Sequence, residues 1–292
     1  LYWPFFECYE RVDSKIPLDV YLNGEGKTLT IANPNLDPVY FTSYNGDTKI
    51  ENLNVDGEIS LIGLGQYIKD YADFHTVLNN VKVKNADVNF YSNGAVRTAM
   101  FNYGLATLNN CEIIDNEKSP NCPWISGVNK WKEYDTFNDP ETFTYDLGAG
   151  NKSKTYLNGG TYGNIITWEQ GLLDINGADV KYLCVLSCIH TTVATFGGFK
   201  VDGTEEDPAI IGHIDLVGDP INYSTLHTNV YIGKNCTINA LNLTSTVVKD
   251  DTRKIVIEDL NVINEIIFEG VSYKKGNFKF KPESNNNIIV FS

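Results

Sequence analysis

The chain has 292 residues, 42% of them hydrophobic and 12% aromatic, enough apolar surface for a sizeable core in one or two domains. A net charge of −14, three arginines (Arg11, Arg97, Arg253) and no lysine cluster exclude the basic stripe that nucleic acid or an anionic membrane requires. No apolar run reaches membrane-spanning length, so no membrane insertion is expected.

Residues 1–16 stand apart. Tyr2, Trp3, Phe5 and Phe6 make a dense aromatic patch without a repeating turn, which reads as a cap on one end of the fold or as an anchoring segment. From Pro17 a different pattern begins and continues to residue 292 as one domain. Val20-Tyr21-Leu22, a Gly24–Gly26 turn and Leu29-Thr30-Ile31 read as strand, turn, strand, and Ile50, Leu53, Val55, Ile59 and Leu61 repeat it. Along Val81-Lys82-Val83 apolar and polar residues alternate with period two, one face buried and the other wet. One stretch, 65–76, carries Tyr67, Ile68, Tyr71 and Phe74 at helical spacing and predicts a short helix on the flank.

The phrase that returns most often is Leu78-Asn79-Asn80-Val81, again as Leu108-Asn109-Asn110-Cys111 and Leu157-Asn158-Gly159-Gly160. Looser copies are Ile175-Asn176-Gly177-Ala178, Phe196-Gly197-Gly198-Phe199 and Ile232-Gly233-Lys234-Asn235. Each sets an apolar residue before one or two that tolerate positive φ, the mark of a stack of similar coils. The 33 asparagines, well above ordinary usage, suit a chain that turns corners this often. The anchor spacing predicts a basic coil of about 18–25 residues with loops inserted at some turns, and roughly 11–13 coils. A sandwich of antiparallel hairpins is the competing architecture.

The longest break in the pattern, 117–155, is read as a loop insertion. It holds Trp124, Trp131, Tyr134, Phe137, Phe143 and Tyr145 among prolines and carboxylates. A long loop on a rigid scaffold is a place for function, and these six are the candidate binding residues for a partner protein or a glycan. Cysteines 8, 111, 122, 184, 188 and 236 form no C-x-x-C pair and mostly read as small buried hydrophobes, although Cys111 and Cys122 could bridge across the insertion.

The repeat style, plainest in Phe101-Asn102-Tyr103-Gly104-Leu105-Ala106-Thr107-Leu108-Asn109-Asn110, resembles the pectin-lyase-like right-handed parallel β-helix superfamily. That resemblance implies an all-β, single-stranded right-handed parallel β-helix. It covers polysaccharide lyases and hydrolases, surface proteins and virion appendages alike. Its hydrolase branch carries Asn-Thr-Asp, Asp-Asp, Gly-His-Gly and Arg-Ile-Lys in that order. Here Asp250-Asp251 follows Gly212-His213 and no Asn-Thr-Asp occurs, so no catalytic residue is assigned. The acidic turn Lys200-Val201-Asp202 with Glu205-Glu206-Asp207 is the best oxygen cluster for a lyase-type cation, yet it reads as a charged loop tip. His75, His190, His213 and His227 show no metal spacing, and neither a metal nor a cofactor is expected. The reading is a structural or attachment protein: a tail spike, fibre or capsid decoration on a virion. It would contact other virion or surface proteins and a host glycan, and would be a homo-oligomer such as a trimer. The alternatives are an extracellular adhesin on a bacterial surface and a carbohydrate-active enzyme whose carboxylates come from different coils.

Overall fold

The computed structural model describes residues 19–32, 39–41, 46–59, 62–64, 75–84, 97–102, 104–114, 144–149, 153–167, 172–186, 198–217, 229–245, 255–283 and 286–292. Tyr2, Trp3, Phe5 and Phe6 of the expected cap lie outside these residues, as do Trp124, Trp131, Tyr134, Phe137 and Phe143 of the insertion and most of the 65–76 helix candidate.

The described chain is a parallel β-solenoid. One sheet stacks nine strands in register: Val20–Asn23, Thr48–Glu51, His75–Asn79, Leu105–Asn109, Lys154–Asn158, Leu172–Asn176, Gly198–Asp202, Asn229–Ile232 and Ile255–Ile257. Each of these nine is one rung. Along their inward face runs a file of Leu22, Ile50, Leu78, Leu108, Leu157, Ile175, Val201, Ile232 and Ile257, every member paired with the next. The middle seven are fully buried, and the two at the ends, each with one partner in the described file, are partly exposed. Burying a side chain of this size stabilises by about 1.5–3 kcal/mol, so this one file contributes a large part of the core.

The recurring Asn phrase is the corner of the coils from the second rung to the sixth. Its first Asn closes the strand and its second takes the left-handed conformation: φ is 53° at Asn52, 52° at Asn80 and 50° at Asn110, with Gly159 and Gly177 at 63° and 66° in the equivalent places. The corner amides bond to the rung above, Asn52 N–H to the Asn79 carbonyl at 2.9 Å, Asn80 to Asn109 at 2.9 Å, and Asn110 to Asn158 at 2.9 Å. The side chains form a second ladder: Asn79 donates to Glu51 (2.7 Å), Asn109 to Asn79 (2.7 Å) and Asn158 to Asn109 (2.8 Å). The residue after the corner points inward, and Leu53, Val81, Cys111, Ala178, Ala209 and Cys236 share that buried position.

One expectation about the corners needs correction. Phe196-Gly197-Gly198-Phe199 is not a corner, since Gly198 opens a strand in register with Leu172 and Asn229, and Asp202 occupies the ladder position opposite Asn176. Gly198 is there because the neighbouring strand comes close: a Cβ would lie 2.5 Å from the Asn229 carbonyl oxygen. Coil length varies: 28, 30 and 49 positions separate Glu51, Asn79, Asn109 and Asn158, then 18 lead to Asn176 and 26 to Asp202. Nine rungs lie among the described residues.

The second sheet follows the corner and has two branches. One begins Thr28–Ala32, Asn54–Ile59, Lys82–Lys84, Glu112–Ile113; the other is Val39–Tyr40, Ile62–Leu64, Arg97–Asn102, Thr144–Ala149. They fuse at Thr161–Thr167, whose first residues pair with Glu112–Ile113 and whose last pair with Leu147–Ala149. The long strands Asp179–Leu186, Ala209–Val217 and Cys236–Ser245 then serve both branches. Tyr145, read as a loop residue, belongs to the strand Thr144–Ala149 in register with Thr98.

The C-terminal end departs from the repeat. Glu265–Phe268 pairs parallel to the preceding strand, then antiparallel with Val271–Lys274, and a separate hairpin joins Phe278–Glu283 to Asn286–Phe291. Phe291 stacks on Tyr273 at 4.2 Å and lies 5.4 Å from Phe268, so the hairpins cover the last parallel rung with aromatic rings. Covering that edge removes a template for further strand addition.

Candidate binding groove on the first sheet

Because the first sheet is in register, every second residue of each strand falls into a single outward file: Tyr21, Lys49, Val77, Thr107, Tyr156, Asp174, Lys200, Tyr231 and Val256. At its start, Glu51 receives the Tyr21 hydroxyl at 2.7 Å and the Lys49 ammonium at 2.7 Å, and Lys49 lies 5.4 Å from the centre of the Tyr21 ring. The Lys49, Tyr21 and Asn79 hydrogen bonds hold the Glu51 carboxyl down at about 2.

At the other end the file opens into a groove of about 300 Å³. Tyr156, Leu172, Asp174, Lys200, Tyr231 and Val256 form its walls, and Gly198, which lacks a side chain between Leu172 and Asn229, deepens its floor. Lys200 Nζ is 4.0 Å from the Asp174 carboxylate and 6.0 Å from the Tyr231 ring centre. The hydrogen bond from Tyr231 to Glu258 pushes its phenol up to about 12, so the ring keeps its proton and is held in place. Asp174 is the one carboxylate among the described residues of the lining.

A separate polar cluster lies on the second sheet. Asp215, only 3% exposed, accepts from the Tyr182 hydroxyl, from His213 Nε2 at 2.7 Å and from Asn242 Nδ2 at 2.9 Å. The carboxylate fixes the proton of His213 on Nε2, and the ring stacks on Tyr182 with centroids 5.5 Å apart. These groups come from three consecutive strands, so the cluster ties rungs together through a buried carboxylate. The acidic turn after Asp202 also has local work. Asp202 accepts the Asn235 amide at 3.1 Å, and Asp207 N–H donates to Thr204 Oγ1 at 3.0 Å. Among the described residues no group of three His, Cys, Asp or Glu side chains is placed to hold a metal ion.

Of the groove residues the sequence marked only Lys200, as part of an acidic turn, and Gly198-Phe199, as a corner, and none as a binding residue; the aromatic candidates of 117–155 are outside the described residues apart from the backbone of Tyr145. Tyr156, Asp174 and Lys200 do share a signal: each stands two places before the residue that closes its strand, Asn158, Asn176 or Asp202. Cys111, Cys184 and Cys236 are buried. Cys111 carries a thiol that donates to the Leu78 carbonyl, and Cys122, the other half of the expected bridge, lies outside the described residues. The chain matches no family model, no curated protein and no solved structure, so its function rests on geometry.

Proposed function

We propose that the chain is a non-enzymatic attachment protein of the pectin-lyase-like right-handed β-helix type, a rigid appendage of a virion such as a tail spike, fibre or capsid decoration. It displays a binding face to a partner or host glycan. The supporting observation is the outward file of the first sheet, where a stiff in-register stack holds Tyr156, Asp174, Lys200 and Tyr231 in a groove with a single lining carboxylate among the described residues. Hydrolysis of glycosides ordinarily needs two carboxyl groups some 5–10 Å apart flanking one bond. A groove with one such group fits holding better than cutting.

The test is to incubate the purified chain with capsular and plant polysaccharides and follow both retention and chain length. Retention without shortening is the expected result. Shortening that disappears in Asp174→Asn would overturn the non-enzymatic reading. Mass measurement of the native assembly, with identification of what co-purifies, tests the virion setting and the homo-oligomer.

A further inference from the structure

We propose that the groove between Tyr156 and Tyr231 is a saccharide-binding site for a neutral oligosaccharide laid along the stack axis, an inference that rests on the attachment reading and names its ligand class. Tyr156 and Tyr231 occupy the same outward file three rungs apart, which places their rings about 14 Å from each other on one face. Two aromatic rings at that separation offer platforms for the apolar faces of two sugars in one short chain. Between them lie Asp174 and Lys200, whose 4.0 Å separation leaves both charges able to accept from and donate to hydroxyls. Asn229 lines the same groove and adds an amide.

Exposure points the same way. Leu172 is 44% exposed, Tyr156 38% and Val256 38%, a cluster of large apolar side chains left open beside polar groups. A protein laid on this face would have to desolvate the Asp174–Lys200 pair, whereas sugar hydroxyls both donate to the carboxylate and accept from the ammonium. The net charge of −14 opposes an acidic polysaccharide, which leaves a neutral one. The Glu258 bond to Tyr231 fixes the ring before the ligand arrives, so little ordering is left for binding to do.

The experiment titrates the full chain with cello-, malto-, manno- and chito-oligosaccharides by calorimetry, with polygalacturonate as the acidic comparison. Saturable binding to at least one neutral series is expected. Tyr156→Ala and Tyr231→Ala should each weaken it about tenfold, the loss of one stacking platform. Tyr231→Phe, which keeps the ring, should stay within about threefold of the parent. These side chains point outward, and circular dichroism of each variant confirms that the stack is intact. Binding at full strength in both alanine variants overturns the groove while leaving attachment standing. Failure of every neutral series, binding to polygalacturonate alone, or self-association that Tyr231→Ala abolishes, overturns it too. Shortening of a bound saccharide supports the site and overturns the non-enzymatic reading beneath it.

Discussion

Glu51 stands where Lys49, Tyr21 and Asn79 all donate to one carboxylate, and its acidity measures how well the first three rungs are aligned. A side-chain carbon titration should find its midpoint at about 2, well below an ordinary glutamate. In Asn79→Ala the midpoint should rise, because one donor is gone. The sign for stability follows: with the folded value depressed, the contribution is present above the unfolded value and fades as pH falls through about 2. Cys111 and Cys236 report on the interior instead. Burial pushes their thiols up to about 11 and about 12, the Asp202 charge adding to the second. At pH 8 both should resist alkylation by iodoacetamide until denaturant is added. Rapid labelling at Cys111 or Cys236 in the native protein, located by peptide mass mapping, would contradict the inward placement of the residue after the corner. At the Asp215 cluster, Asp215→Ala removes the shared acceptor of Tyr182, His213 and Asn242, and should cost about 1–3 kcal/mol by urea midpoint.

The corner is the element on which the fold turns, and it was largely legible. Leu-Asn-Asn announced an apolar file, a ladder residue and a left-handed residue, and all three were found at residues 78–80 and 108–110. Where the pattern degenerated, reading failed. Ile50-Glu51-Asn52-Leu53 is a full corner with Glu in the ladder place, and at Val201-Asp202-Gly203 Asp202 holds the ladder register without a left-handed residue after it, whereas the doubled glycine at 197–198 mimics a turn. A glycine demanded by a close strand looks the same in sequence as one demanded by a turn. Both demands meet at Gly160. Its φ is 90° and a Cβ would sit 2.3 Å from the Cys111 carbonyl oxygen, so Gly160→Ala should destabilise by at least about 1–3 kcal/mol. Asn110→Gly, where φ already suits glycine, should stay within about 1 kcal/mol of the parent. Asn109→Ala cuts the ladder at both sides and should cost about 1–2 kcal/mol, read from the shift in urea midpoint.

For the whole molecule, a repeat stabilised by its nearest neighbours explains why the groove was invisible in linear order. Tyr156 and Asp174 are adjacent across strands, as are Lys200 and Tyr231, but stretches of intervening chain separate them in sequence. Only the register brings them together, and the register needed the corners first. The antiparallel C-terminal hairpins were equally hidden, since Ile266-Ile267-Phe268 reads like any other strand of the stack. Eight strand spacings set the height of the first sheet at about 38 Å, whatever lengths of chain loop out between rungs.

That independence of distance from sequence separation is open to direct measurement by spin–spin distances between labels placed on the outward file through non-natural amino acids. With one label at Lys49, a second at Asp174 is four rungs away and one at Lys200 is five, giving mean separations of about 19 Å and about 24 Å. A third, at Val256, should fall near 34 Å, seven rungs on. A constant increment of one strand spacing per rung is the result expected of the parallel stack. Separations that follow the number of intervening residues, or that stop growing partway along the file, would contradict it.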